Sequence, residues 1–183
     1  MPRAGIALGS NLGDRLANLR AACACLREIA NAGEPIITAP VYRTEPLLCP
    51  PDSPKFLNTV IEIDFTGTAI ELLNTTRAIE QKLGRCPSAE RNAPRVIDID
   101  ILYFGDETIN NDSLTLPHPR IGERRFVLQP LADIRPDLIL PGHAVGIADL
   151  LKNLRSEEPP LVRLTENIGR DRLSERSERK KCE

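Results

Sequence analysis

The sequence predicts an α+β fold, a mainly antiparallel sheet covered by helices, and two observations lead there. Short runs suited to strands alternate with two longer segments whose apolar residues recur at helical spacing, and the order is strand, helix, strand, strand, helix, strand. At 183 residues the chain can bury one sizeable core, so one domain is expected.

The first strand runs from Arg3 to Leu8. Asp14 is the predicted N-cap of the helix that follows; Leu16, Leu19, Cys23, Leu26 and Ile29 form its apolar stripe, and Gly33 is its predicted stop. Strands are expected next over Pro35 to Tyr42 and Leu57 to Phe65. Thr68-Ala69-Ile70-Glu71 reads as a capping box, in which the Thr and Glu side chains satisfy each other's exposed backbone donors. Ile70, Leu73, Ile79 and Leu83 give the second helix its stripe, and Gly84 ends it. The fourth strand is Arg95 to Phe104. This βαββαβ order is the split, ferredoxin-like arrangement. Phe104-Gly105-Asp106-Glu107 predicts a tight hairpin returning through Thr108 and Ile109. A last helix, Ile147 to Leu154, places Leu150, Leu151 and Leu154 on one side.

Composition changes after Arg155. Residues 156–183 hold seven basic and seven acidic side chains and few apolar ones, too few to offset the entropy of ordering them. The expected division is a domain over 1–155 and a mobile charged tail over 156–183. A net charge of −2 and an aromatic content of 3% argue against a nucleic-acid binder, which needs basic excess and stacking platforms. No run of 18 apolar residues predicts a membrane span, and the N-terminus lacks a signal peptide's apolar segment. Five irregularly spaced cysteines fit reduced thiols in a cytoplasmic protein better than a disulfide framework or zinc site.

The most informative run is Arg95-Val96-Ile97-Asp98-Ile99-Asp100-Ile101-Leu102. In an extended strand alternate side chains share a face, so Asp98 and Asp100 point one way, about 7 Å apart, and the isoleucines fill the other. Taken alone, such alternation equally describes a solvated strand face. Arg85, Arg91 and Arg95 precede the pair, and His118, Arg120, Arg124 and Arg125 follow it. Carboxylates for a hard divalent cation, with arginines for phosphate oxygens, are the parts of nucleotide phosphoryl transfer.

The loops are less specific. Gly9-Ser10-Asn11-Leu12-Gly13-Asp14 lacks the signature of a phosphate-binding loop and reads as a turn before an N-cap. Cys49-Pro50-Pro51-Asp52-Ser53-Pro54 is held extended by its prolines, as suits a surface loop beside a ligand. Phe56 and Asn58 fit a strand start and also the recognition of a flat, hydrogen-bonding heterocycle. Arg77 and Glu80 have the spacing of a surface ion pair on the second helix.

In order, Gly9-Ser10-Asn11, Tyr42-Arg43-Thr44, Phe56-Leu57-Asn58, the run Glu90 to Ile101 and Leu116-Pro117-His118-Pro119-Arg120 resemble the 6-hydroxymethyl-7,8-dihydropterin pyrophosphokinase family over residues 3 to 154. The resemblance implies Mg²⁺-dependent transfer of pyrophosphate from ATP to 6-hydroxymethyl-7,8-dihydropterin, a folate-pathway reaction that releases AMP. It implies that Asp98 and Asp100 hold two Mg²⁺ ions arriving with ATP, and that Arg85 and Arg95 stabilise the migrating charge. It places Thr44, Leu47, Phe56, Asn58 and Phe126 around the pterin. It places Arg77, Glu80, Arg85, Arg95, Ile101, Thr115, His118 and Arg124 around the nucleotide. ATP and the pterin are then the expected partners of a cytoplasmic monomer that binds neither nucleic acid nor membrane. Asn92 stands where some members have Trp, Ala93 where Gly is usual, Pro87 and Ser113 where some have further arginines, Pro119 where some have Tyr, and Glu45 where Pro is frequent. The altered arginine positions alone would suit a binding module without turnover; the intact aspartate pair argues for an enzyme.

Overall fold

Antiparallel pairing organises the chain around β1 (Arg3–Ser10), which lies between β4 (Phe56–Asp64) and β5 (Asp98–Phe104). β3 (Tyr42–Thr44) pairs with the far side of β4, β8 (Val162–Arg163) pairs with β3, and β2 (Ile37–Thr38) also pairs with β4. The sheet order is therefore β5-β1-β4-β3-β8. The computed structural model describes residues 2–31, 35–46, 53–85, 93–155, 159–166 and 168.

The two faces of β1 explain how the layers stack. Ala4, Ile6 and Leu8 point into a cluster with Leu19 and Leu26 of α1 (Arg15–Ile29) and Leu72 and Ile79 of α2 (Ala69–Lys82). Gly5, Ala7 and Gly9 occupy the alternate positions, and their small size leaves room on the other face. A Cβ on Gly5 would sit 2.1 Å from Tyr103 Cε1, and one on Gly9 would sit 2.9 Å from Asn58 Oδ1, so larger side chains lie directly over these glycines. Beyond them, α3 (Arg125–Ile134) and α4 (Ile147–Asn153) pack a second cluster containing Val60, Leu102, Val127, Leu128, Leu131 and Ile147. α3 contains Pro130, which breaks the helical pattern in the sequence and explains why the helix is not announced there.

β5 carries a bulge. Gly5 pairs with Tyr103 but Ile6 with Ile101, so Leu102 is the extra residue. Leu102 and Tyr103 thus both face the α3 side, while Ile101 and Phe104 face α1 and α2.

The helix ends largely follow the sequence. Asp14 caps α1 by accepting from Ala17 N–H at 3.0 Å, and Thr68 and Glu71 form the expected capping box on α2. α1 ends with Ala30 as its C-cap, ahead of the expected stop at Gly33, which lies outside the described residues. Of the expected α2 stripe, Ile79 is buried and Leu73 and Leu83 pack against the core, but Ile70 is 38% exposed. Leu72, Thr76 and Glu80 are also buried, and counting apolar residues alone did not mark the two polar ones.

The strand expected over Pro35 to Tyr42 is broken into β2 and β3. Thr38 pairs with Ile61 and Tyr42 with Asn58, so the register slips by one residue around Pro40, which has no N–H to give a ladder. A turn forms after Phe104, with Glu107 N–H donating to Phe104 O at 3.0 Å. The hairpin expected there is not formed with β5: β6 (Ile109–Asn110) pairs instead with β7 (Thr115–Leu116). No described helix is long and apolar enough to cross a membrane.

The expected boundary at Arg155 also needs correction. Arg163 pairs with Tyr42 and Val162 with Arg43, Leu164 N–H donates to Val41 O at 2.8 Å, and Ile168 is 3% exposed within the α1/α2 core. These few apolar residues, diluted among charges in the sequence, find an open strand edge and a core to join. A chain ending at Arg155 should lose the burial of Ile168, about 2 kcal/mol, and melt roughly 4–8 °C lower. An unchanged melting temperature would show that 159–168 adds nothing to the domain.

Candidate active site

Asp98 and Asp100 pair across the ladder with Gly9 and Ala7, on the face those small residues leave open. Ile97, Ile99 and Ile101 are buried on the opposite face. The division of the strand into a carboxylate face and a core face is thus present as the alternation implies.

The two carboxylates have different surroundings. Asp98 Oδ1 lies 2.8 Å from Arg85 Nη1, and Asp98 Oδ2 lies 2.8 Å from Arg95 Nη1. Asp100 has neither a hydrogen bond nor an ion pair among the described residues. Burial, and then the charge of Asp98, push the Asp100 pKa upward against the pull of Arg124. A partly buried carboxylate facing a second one, with no donor of its own, fits a cation. A hard ion such as Mg²⁺ suits it, because that ion takes one or two carboxylates and fills its shell with water and phosphate oxygens. No group of three or more metal-ligating side chains occurs among the described residues, so the other ligands would come from solvent or substrate.

The arginines are placed from outside the strand. Arg95 N–H donates to Asn11 Oδ1 at 2.7 Å, Asn11 N–H donates to Arg95 O at 3.1 Å, and Ser10 Oγ and Asn18 Nδ2 both donate to Val96 O. This clasp keeps 95–97 out of the ladder, so β5 begins at Asp98. The Gly9–Asp14 loop, read from sequence as a turn, thereby fixes the approach of Arg95 to Asp98. Arg85 follows α2, whose Glu80 carboxylate bonds its guanidinium. Arg124 lies over the ring of Phe126, 5.4 Å from its centroid.

Two adjoining clefts meet at Asp100. The first, about 300 Å³, is lined by Thr44, Phe56, Asn58 and Phe126, with Arg95, Asp98 and Arg124 toward one end. The second, about 580 Å³, is lined by Arg77, Glu80, Ile101 and Thr115. Arg85, Asp100 and His118 line both. Sequence-selected residues for one ligand therefore collect in the first cleft and most of those for the other in the second, while Arg95 and Arg124 lie in the first. Leu47 is outside the described residues. Sequence reasoning assigned no site role to Ala7, Gly9, Leu102 and Val127, which form the floor and wall of the first cleft; Glu45, noted in the sequence where Pro is frequent, lies at its rim, 2.5 Å from Lys55. It read Ser10 and Asn11 only as turn residues and did not select Asn18, so their clasping role was missed; Ser10 and Asn11 are fully buried polar side chains before a helix.

Asn58 Nδ2 donates to Thr44 Oγ1 at 2.8 Å, which turns its Oδ1 toward Gly9 and the cleft. His118 is anchored by its backbone N–H to Leu102 O at 2.8 Å, and its Nδ1 accepts from Arg120 N–H at 3.1 Å. In the neutral ring Nε2 therefore carries the proton. Burial, with Arg124 and Arg120 nearby, lowers its pKa from 6.5 to about 4. The unfolded chain consequently binds more protons between those values. The neutral ring's contribution to stability is complete above 6.5 and is lost as pH falls toward 4. Urea unfolding at both ends of this window should show His118→Asn losing less stability on acidification than the wild type; equal losses would contradict the assignment.

A sequence model of the family described as 7,8-dihydro-6-hydroxymethylpterin-pyrophosphokinase (HPPK) matches residues 5–136. The 2-amino-4-hydroxy-6-hydroxymethyldihydropteridine pyrophosphokinase of Bacillus subtilis is 44% identical over 129 residues, covering 70% of this chain and 75% of that protein. The Haemophilus influenzae protein of the same name is 37% identical over 152 residues, 83% of this chain and 92% of that one. The fission yeast "Folic acid synthesis protein fol1" is 35% identical over 152 residues, and there the match spans only 20% of the relative's length. A crystal structure of wild-type Plasmodium falciparum HPPK-DHPS with pteroate superposes with a TM-score of 0.67 at 15% identity, covering 82% of this chain and 44% of that one, and supports the fold. The ferredoxin-like sheet, the aspartate pair with Asp100 where two clefts meet, and these matches together place the chain in the 7,8-dihydro-6-hydroxymethylpterin-pyrophosphokinase family.

Proposed function

We propose that this chain transfers pyrophosphate from ATP to 6-hydroxymethyl-7,8-dihydropterin in an Mg²⁺-dependent step of folate biosynthesis. The observation that carries the reading is Asp100, which lines both clefts and has no ion pair among the described residues. The pterin takes the first cleft, with Phe56 and Phe126 supplying apolar surface and Asn58 Oδ1 accepting from the edge of the heterocycle. ATP takes the second, its triphosphate directed toward Arg85 and His118 Nε2. Asp98 and Asp100 would hold Mg²⁺, which when bound supplies charge neutralisation across the triphosphate.

The pterin hydroxyl attacks the β-phosphorus in line. A new bond forms from that oxygen to the β-phosphorus, the bond to the α–β bridging oxygen breaks, and AMP departs with the electron pair. Arg85 and Arg95 exchange their contacts with Asp98 for the phosphate oxygens, so charge spread in the transition state meets donors already in place. Because both Asp98 oxygens are held by arginines in the free protein, metal and triphosphate are best received together, as expected for ions that arrive with ATP. Positioning and charge can supply most of the acceleration in such chemistry, so no separate general base is assigned. A monomer in the cytoplasm is the proposed state.

Incubation with ATP, Mg²⁺ and 6-hydroxymethyl-7,8-dihydropterin tests the reading. AMP should appear only when all three are present; AMP formed without the pterin, or none with all three, would refute it. Asn58→Ala tests the division between the clefts. Pterin binding should weaken by about 1–3 kcal/mol in calorimetry, with a non-hydrolysable ATP analogue binding almost as before. Equal weakening of both ligands would contradict it.

A further inference from the structure

We propose that Glu80 is a positioning residue for the transfer step: it holds Arg85 and the aspartate strand in one register. This rests on the pyrophosphokinase reading above and adds to it a role for a side chain that does not itself touch the reacting atoms. Glu80 sits in the last turn of α2 and is 7% exposed. An acid there faces both the cost of burial and the negative end of a helix. Burial indeed raises its pKa, against the pull of the Ile99 N–H and of Arg85.

Its Oε1 accepts from Ile99 N–H at 2.7 Å and from Arg85 Nη1. Ile99 lies between Asp98 and Asp100, and β5 ends the ordered sheet, so this bond ties down the outer edge of the strand at the point between the two carboxylates. Arg85 is held twice over, since its backbone N–H donates to Glu80 O at 2.9 Å. The same Arg85 Nη1 reaches Asp98 Oδ1 at 2.8 Å. One nitrogen thus joins the buried acid to the metal-site acid, leaving Nη2 and Nε of the guanidinium for phosphate oxygens. Without the Glu80 charge, the Arg85 guanidinium would be held, among the described residues, chiefly by Asp98, whose oxygens a bound metal would take. Glu80 therefore keeps Arg85 beside the triphosphate once Asp98 lets it go.

Glu80→Gln removes the charge and keeps an accepting oxygen. The amide oxygen still accepts from Ile99, keeping the strand edge, but without its charge it holds the guanidinium far more weakly. The expected result in the full-length protein is a kcat lowered about 10- to 100-fold with the KM for the pterin within 2-fold and a wild-type circular dichroism spectrum. In an Arg85→Ala background the same change should lower kcat less than 2-fold, because the group it positions is gone. Equal fold losses in both backgrounds, or a Glu80→Gln protein at wild-type kcat, would overturn the proposal. Should the amide variant fail to fold, the same cycle with Glu80→Asp, whose shorter acid cannot span both partners, is judged by the same criteria. A wild-type protein that forms no AMP would instead defeat the pyrophosphokinase reading itself, so the two failures are distinguishable.

Discussion

Asp100→Asn should abolish most turnover while leaving the ligand-free protein at least as stable as the wild type. The substitution keeps size and strand pattern and removes one negative charge from the junction of the clefts. If that charge holds Mg²⁺ against the triphosphate, kcat should fall by about three orders of magnitude, since the lost stabilisation is felt in the transition state. Stability should move the other way. The Asp100 carboxyl has its pKa raised by burial and by Asp98, so in the free protein its ionised form opposes folding. A group with a raised folded pKa supports folding fully below its unfolded pKa and loses that contribution as pH rises through the folded value. The variant's advantage should therefore be present at neutral pH and vanish in acid, where the wild-type carboxyl is also neutral. Steady-state rates across a Mg²⁺ titration, with thermal melts at two pH values, check both halves. A folded Asp100→Asn enzyme running at wild-type rate would return the pair to an ordinary solvated strand face.

Glu62 provides the contrasting case on the same side of the sheet. It is 1% exposed, its Oε2 lies 3.1 Å from Arg3 Nε and 2.8 Å from Arg135 Nε, and Tyr103 Oη donates to its Oε1 at 2.8 Å. Every partner this acid needs is supplied by the protein, including the tyrosine that the β5 bulge turns toward it over Gly5. Removing it leaves the buried Tyr103 hydroxyl without its acceptor and two partly exposed guanidinium groups without their counter-charge. Glu62→Ala should therefore destabilise the fold by about 2–3 kcal/mol in urea unfolding. Near its cold, stable limit the variant should still turn over, because Glu62 lines neither cleft. A loss under 1 kcal/mol would show that the cluster is better solvated than its burial implies. Glu62 is saturated by its neighbours, whereas Asp100 has no hydrogen bond or ion pair among the described residues.

That distinction was only partly legible in the sequence. Alternation put Asp98 and Asp100 on one face and isoleucines on the other, because a strand's period is two and the pattern is strict. The capping box of α2 and the Asp14 cap were readable because caps are local chemistry. What escaped depended on distant partners. The strand edge that accepts Val162 and Arg163 cannot be read from a charged C-terminal segment, and the clasp of Asn11 on Arg95 joins residues 84 apart. α3 was hidden by Pro130, although it supplies Phe126 and carries Arg124 as its N-cap. Buried Glu62 and Glu80 look in the sequence like ordinary surface acids. Only the packing distinguishes them from the charges in solvent around them.

The most direct measurement of the central claim follows the β-phosphate of ATP. With ATP labelled in that phosphate, Mg²⁺ and 6-hydroxymethyl-7,8-dihydropterin, the label should leave the nucleotide and appear in a pterin diphosphate, with unlabelled AMP formed in equal amount. Label retained in ADP, beside a pterin monophosphate, would mean that attack occurs at the γ-phosphorus and would contradict pyrophosphate transfer at this site.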